Sequence, residues 1–178
     1  MKREILIVGR GGQGVLLLGR LLGLAASKYA GLYAVATETY ASEIRGGESR
    51  SDVVVGDSIH DIDYVKVQSA DIAVFMYPYR VEEYIKLLKP SSIVFIDEEY
   101  VEPRLFGGYK LYSHRYSELA EVKLATRRVA NIIIAGHIVK VSRLLDLEHL
   151  KKTIVELVPE KWHQINIKAL ELGYSLPA

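Results

Sequence analysis

The sequence predicts an α/β fold: a mostly parallel, doubly wound sheet with a C-terminal helical segment. Three observations carry that expectation. Short apolar runs at residues 5–8 and 72–76, and the segment 92–96 in which Ser92 leads four apolar residues, read as strands buried on both faces. Helical stretches alternate with them, which calls for crossover connections and parallel pairing. The first run also passes through Gly9-Arg10-Gly11-Gly12-Gln13-Gly14 directly into Val15-Leu16-Leu17-Leu18, a strand–turn–helix join.

Taken in order, residues 4–8 form the first strand and 12–29 a helix with a wide apolar face, ended by Gly31. Residues 33–39 are a second strand, followed by a polar loop over 40–50 and a third strand at 51–55. Strands at 72–76 and 92–96 flank an amphipathic helix at 81–88, which Lys89-Pro90 ends. A short strand fits 110–112. The last third is helical: an apolar helix over 129–144, a second over 147–158 capped by Asp146, and a third over 162–172 started by Pro159 and ended by Gly173. No linker, repeat or low-complexity tract interrupts the chain, so residues 1–178 are expected to be one domain.

Composition narrows the function classes. Hydrophobic residues make up 49% and charged residues 25%, as in ordinary globular proteins. A formal net charge of +1 argues against nucleic acid or a membrane surface as partner. No apolar run approaches the roughly 20 residues of a membrane span. Met1-Lys2-Arg3-Glu4 leads straight into a strand, so no signal peptide and a cytoplasmic location are expected. The chain has no cysteine, which excludes disulfides, a cysteine nucleophile and iron–sulfur ligation by its own residues. The five histidines are scattered without helical ligand spacing, which argues against a metal site.

Two motifs carry chemistry. Gly9, Gly11 and Gly14 occupy the three glycine places of a Rossmann-like phosphate turn, with Arg10 adding charge. The same glycines also serve plain strand–helix packing. A dinucleotide version requires an acidic residue at the end of the second strand, where Glu38 stands. The second motif is Glu43-Ile44-Arg45-Gly46-Gly47-Glu48-Ser49-Arg50. Its two glycines let the chain turn sharply behind an arginine, which fits a partner or anion contact as well as a solvated loop. Asn131, inside an apolar helix, requires a partner for its amide; His137 reads as a core-edge histidine, and Asp97 as a cap or a ligand orienter. No nucleophile–base–orienter grouping is visible, so no catalytic residue is assigned.

At these residues the chain resembles the gamma subunit of 2-oxoacid:ferredoxin oxidoreductases. The likeness rests on Gly9-Arg10-Gly11-Gly12-Gln13-Gly14-Val15, Gly19, Tyr40-Ala41-Ser42-Glu43-Ile44-Arg45-Gly46-Gly47 and Asp52-Val53-Val54-Val55. It continues through Asp61-Ile62-Asp63-Tyr64, Ala130-Asn131, Gly136, Asn166, Ala169-Leu170 and Gly173. Ala41-Ser42 departs from the family's usual Gly-Pro. The Arg-Gly-Gly form and Asp61-Ile62-Asp63-Tyr64 look more like the 2-oxoglutarate and 2-oxoisovalerate types than the pyruvate type.

The resemblance implies a multi-subunit enzyme that oxidatively decarboxylates a 2-oxoacid to its acyl-CoA, with ferredoxin as acceptor. It implies that thiamine diphosphate, magnesium and iron–sulfur clusters reside in partners: thiamine-binding alpha and beta subunits and a ferredoxin-like delta subunit. Coenzyme A would then be held or guided by Gly9, Arg10, Gly11, Gly12, Gln13 and Gly14. Glu43, Arg45, Gly46 and Gly47 would dock on the thiamine-bearing subunits, and the isolated chain would be inactive. The alternatives are an independent NAD(P)-binding oxidoreductase using Glu38, or a structural assembly subunit.

Overall fold

Apolar strands placed side by side hide their backbone polar groups by pairing. In the computed structural model they do so as one six-stranded sheet of order β2-β3-β1-β4-β5-β6. The structure describes residues 1–40 and 46–178; residues 41–45, which include the predicted Glu43 and Arg45, lie outside the described residues. The strands are β1 (Lys2–Arg10), β2 (Tyr33–Tyr40), β3 (Glu48–Gly56), β4 (Ala70–Phe75), β5 (Leu88–Asp97) and β6 (Lys110–His114). The helices are α1 (Val15–Leu24), α2 (Val81–Ile85), α3 (Tyr116–Leu124), α4 (Ala130–Ser142), α5 (Leu147–Leu157) and α6 (His163–Tyr174).

β1, β4, β5 and β6 pair in parallel, Ile5 facing Ile72 and Ile72 facing Ile93. β3 is antiparallel to both β1 and β2, so five strands run one way and β3 the other. The segment joining β2 to β3 is too short for a crossover, which fixes that reversal. Its consequence is positional: the start of β3 lies at the same end of the sheet as the end of β1, with Arg10 opposite Glu48.

The two faces are covered unequally. Ile5, Ile7, Val53, Val55, Val74 and Phe95 point to the side where α1, α3, α4, α5 and α6 pack. Leu6, Val8, Phe75, Val94 and Ile96 point to the other, closed by Val81 and Tyr84 of the short α2 and by Val101 and Phe106 from turns. Burial at period two on both faces explains why the strands read as continuous apolar runs.

Several expected boundaries shift. The first helix starts at Val15 because Gly12 and Gly14 have φ of 92° and 77°, outside helical space, and it continues to Tyr29 with a widened last turn. The helix at 81–88 is only Val81–Ile85, and β5 begins before Pro90. That proline falls where the β4–β5 register breaks between Ala70 and Ile72, so no ladder bond is lost. Gly173 does not end a helix; it lies inside α6, where a Cβ would meet Ile133 C at 2.7 Å on α4. A Cβ on Gly136 of α4 would in turn meet Tyr174 N at 2.8 Å. The two glycines let α4 and α6 cross with their backbones nearly touching. Among the described residues no helix is long and apolar enough to cross a membrane.

Candidate functional site

The glycine turn leaves β1 at the carboxyl end of the parallel strands, where loops of open α/β sheets gather ligands. Gln13 braces it from within. Its Oε1 accepts the Arg10 N–H at 2.7 Å, and its Nε2 donates to the Met76 carbonyl at 3.1 Å, tying the turn to the end of β4. Gly9 packs too closely for a side chain: a Cβ there would lie 2.7 Å from Val15 Cγ2. Gly14 caps α1 and has no side chain with which to cap it, so it engages none of the first-turn N–H groups at the positive end of the helix dipole. A Cβ on Gly14 would meet Asn131 Cγ at 2.7 Å. Asn131 Nδ2 donates to the Gly14 carbonyl at 3.0 Å, so the amide that looked misplaced in an apolar helix anchors α4 to the turn. Its Oδ1 is buried without a partner among the described residues.

Gly12 differs from these neighbours. Among the described residues, no atom lies within 4 Å of where its Cβ would be. It opens onto a cleft of about 250 Å³ lined by Arg10, Gly11, Gly12, Gln13, Tyr100, Ser117, Arg127 and Arg128 among others. Arg127 is committed, bonding Glu99 and Glu121 at 2.7 Å each. Those bonds hold its guanidinium firmly protonated. Arg10 and Arg128 have no carboxylate partner among the described residues. Arg10 instead lies over the Tyr77 ring at 4.9 Å, in a row of rings where Tyr77 neighbours Tyr79 at 5.0 Å and Tyr100 at 5.6 Å. Two guanidiniums without a carboxylate partner among the described residues and a glycine turn leading into a helix N-terminus give this cleft the chemistry that an anion site requires.

The second motif reaches the same place. The Gly11 N–H donates to the Gly47 carbonyl at 2.8 Å, and the Tyr79 hydroxyl to the Gly46 carbonyl at 2.8 Å. Gly46 also lies against the Arg10 stem, where a Cβ would meet Cδ at 3.5 Å. Thus the structure joins Gly11 to Gly47 and Arg10 to Gly46. Glu43 and Arg45 fall outside the described residues. Of the glycine-turn residues, Arg10, Gly11, Gly12 and Gln13 line the cleft, whereas Gly9 and Gly14 serve the packing behind it.

Other expectations resolve differently. Glu38 is paired with Arg20 through two bonds of 2.5 and 2.9 Å, and β3 separates its strand from β1. A ribose-binding acid requires the neighbouring strand, so the dinucleotide arrangement is not built here. Asp97 is buried and accepts the Ser117 N–H at 2.9 Å and the Ser117 hydroxyl at 2.6 Å, capping α3 from a distance. Burial raises its pKa against those bonds. His137 is fully buried: its Nδ1 pairs with the Tyr116 hydroxyl at 2.7 Å and its Nε2 with the Pro177 carbonyl at 2.8 Å. Burial lowers its pKa, so the ring is neutral; a carbonyl only accepts, so Nε2 carries the proton.

Sequence reasoning missed Tyr77, Tyr100, Ser117, Arg127 and Arg128. The Arg127-Arg128 pair just before the apolar helix was a readable signal. The tyrosines and Ser117 were not, because only the strand order brings them to Gly12.

Comparison with known proteins follows the same line. The family model described as pyruvate ferredoxin/flavodoxin oxidoreductase matches residues 4–176. The 2-oxoglutarate synthase subunit KorC of Methanothermobacter marburgensis is 37% identical over 99% of this chain and 97% of its own. The crystal structure of a keto/oxoacid ferredoxin oxidoreductase gamma subunit from Geobacter sulfurreducens superposes with a TM-score of 0.86 at 28% identity, covering 98% of this chain and 95% of that one. The fold recurs as part of a longer chain in 2-oxoglutarate:ferredoxin oxidoreductase from Magnetococcus marinus, solved with 2-oxoglutarate, coenzyme A and succinyl-CoA bound. There the TM-score is 0.84 at 19% identity, over 98% of this chain and 30% of that one. This chain therefore belongs to the pyruvate ferredoxin/flavodoxin oxidoreductase family, within its gamma-subunit branch.

Proposed function

We propose that this chain is the coenzyme A-side and docking subunit of a multi-subunit 2-oxoacid:ferredoxin oxidoreductase of the 2-oxoglutarate type. The assembly converts a 2-oxoacid to its acyl-CoA and carbon dioxide and passes the electrons to ferredoxin. Thiamine diphosphate with magnesium, and the iron–sulfur clusters, belong to the alpha, beta and ferredoxin-like delta partners; bound there, the thiamine supplies the decarboxylation. This chain works by position. Arg10, Arg128 and the first turn of α1 meet the coenzyme A phosphates, and Gly12 gives them room to approach.

The observation that carries the reading is the bond from the Gly11 N–H to the Gly47 carbonyl. It holds the anion cleft against the Arg-Gly-Gly loop, so a ligand seated in one is presented beside the other. Glu43 and Arg45 then dock on the thiamine-bearing subunits. The 37% identity to a 2-oxoglutarate synthase subunit favours that type of complex. The Magnetococcus enzyme that contains this fold binds coenzyme A, which fits the chemistry of the cleft.

A thermal scan tests the reading. A ligand that binds only the folded chain adds RT ln(1 + [L]/Kd), about 2.7 kcal/mol at a hundredfold excess over Kd. Coenzyme A is expected to raise the melting temperature and NAD to leave it unchanged. Stabilisation by NAD and not by coenzyme A would overturn the proposal.

A further inference from the structure

Three consecutive residues leading into β3 are each held by a different donor. The Gly46 carbonyl accepts the Tyr79 hydroxyl at 2.8 Å, the Gly47 carbonyl accepts the Gly11 N–H at 2.8 Å, and the Glu48 carboxylate accepts the Tyr84 hydroxyl. Both tyrosines come from one short segment, the turn from β4 into α2 and the helix itself. Pro78 precedes Tyr79, whose own N–H bonds the Tyr77 carbonyl at 2.9 Å. Arg80 follows with a φ of 46°, a left-handed backbone that an arginine rarely adopts. Its carbonyl accepts the N–H groups of Glu83 and Tyr84 at 3.0 and 3.1 Å, so α2 starts directly after Tyr79. Arg80 also brings its guanidinium within 3.7 Å of the Glu48 carboxylate, and the Arg50 guanidinium lies over the Tyr84 ring at 4.9 Å.

A pair of glycines is the freest backbone a chain can have. The sheet does not need that freedom removed, because the β1–β3 ladder begins at Glu48, opposite Arg10, and Gly46 lies before it. Gly46 and Tyr79 are both half-buried, so water can reach the Gly46 carbonyl when the hydroxyl is deleted. The Tyr79 bond therefore adds little to the fold; what it does is select one position for the segment. We infer that Tyr79 is a positioning residue for partner docking: it fixes Gly46, with Tyr84 fixing Glu48, so that the segment meets the thiamine-bearing subunits already ordered. This rests on the proposed docking role of the Gly46-Gly47 segment and adds the residues that prepare it. Ordering the segment beforehand removes an entropy cost from association.

Tyr79→Phe and Tyr84→Phe in the full chain test the inference through three readings. These are the melt of the chain alone, its Kd for the separately prepared thiamine-bearing subunits, and turnover of the reconstituted complex as the chain is titrated in. Tyr79→Phe is expected to leave the melt unchanged, to raise the subunit Kd roughly three- to tenfold, and to leave kcat unchanged once the chain is saturating. Tyr84→Phe is expected to raise the subunit Kd similarly, with some loss of stability because Tyr84 is buried. A Tyr79→Phe chain that associates as the native chain does overturns the inference and leaves the proposed function standing. Association that weakens only in proportion to the unfolded fraction makes the hydroxyl a structural one and overturns it too. A fall in kcat at saturation with an unchanged subunit Kd likewise overturns it, by moving Tyr79 into the reaction itself. If the native chain does not associate with the thiamine-bearing subunits, the proposed function fails and the inference with it.

Discussion

Two regions of this molecule use glycine for opposite reasons. At the α4–α6 crossing, Gly136 and Gly173 are occupied from outside: the backbone of the other helix fills the space a Cβ needs. At the carboxyl end of the sheet, Gly12 faces a space that no atom of the described residues fills. The first pair is explained by the fold alone. Gly12 is explained by the fold only through its φ of 92°, and its open side is left to whatever enters the cleft. The pattern of glycines in a sequence therefore mixes two demands, and a structure separates them by asking what each missing Cβ would touch.

The contrast breaks first at the crossing. Gly136→Ala and Gly173→Ala each push a methyl into helix backbone that cannot retreat without separating α4 from α6. Each is expected to cost about 3 kcal/mol or more, read as the loss of denaturant midpoint at unchanged slope. A loss under about 1 kcal/mol would mean that the helices repack freely and that the glycines are not there for contact.

Gly14 stands between the two cases, with a φ of 77° and Asn131 against its open side. Gly14→Ala is expected to cost about 2 kcal/mol from the left-handed backbone and the displaced amide together. Asn131→Ala in the same background should relieve part of that cost in a double-mutant cycle. Additive losses would show that the amide and the turn are independent.

The smallest effect expected is a pH dependence in the packed region. His137 holds the Pro177 carbonyl as a neutral ring whose folded pKa lies below its unfolded value. The unfolded chain then takes up the proton more readily. The contribution is complete above about pH 6.5 and is lost as pH falls from there toward the folded pKa. His137→Gln is expected to flatten the melting temperature between pH 7.5 and 5.5 relative to the native chain. Parallel profiles would place the acid sensitivity elsewhere.

Much of this was legible in the sequence because burial on both faces of a strand leaves an unbroken apolar run. β1, β4 and most of β5 follow from that, and α1 from the run after Gly14. α3 was not legible. Only Tyr116, Ser117 and Ala120 of it are buried, and Asp97, twenty positions upstream, caps it through Ser117. The direction of β3 is not legible in its apolar pattern, which carries no polarity; the short connection from β2 is the available cue. The site divides the same way. Arg10, Gly11, Gly12 and Gly47 were readable as motifs, whereas Tyr77, Tyr100 and Ser117 enter only through strand order. Glu38 misled because a second strand in sequence is not the neighbouring strand in space.

The central claim is that the open side of Gly12 is kept for the phosphates of coenzyme A. Calorimetric titration of coenzyme A into the native chain, Gly12→Ala and Gly12→Val tests it most directly. Both variants share the left-handed strain, about 1–2 kcal/mol of stability, so a melt of each sets the folded baseline. The account predicts that affinity falls with the size of the side chain, tenfold or more for valine, while both variants remain folded at the titration temperature. Equal affinity for coenzyme A in the native chain and the folded valine variant would contradict it, and would leave Gly12 as a residue of the turn alone.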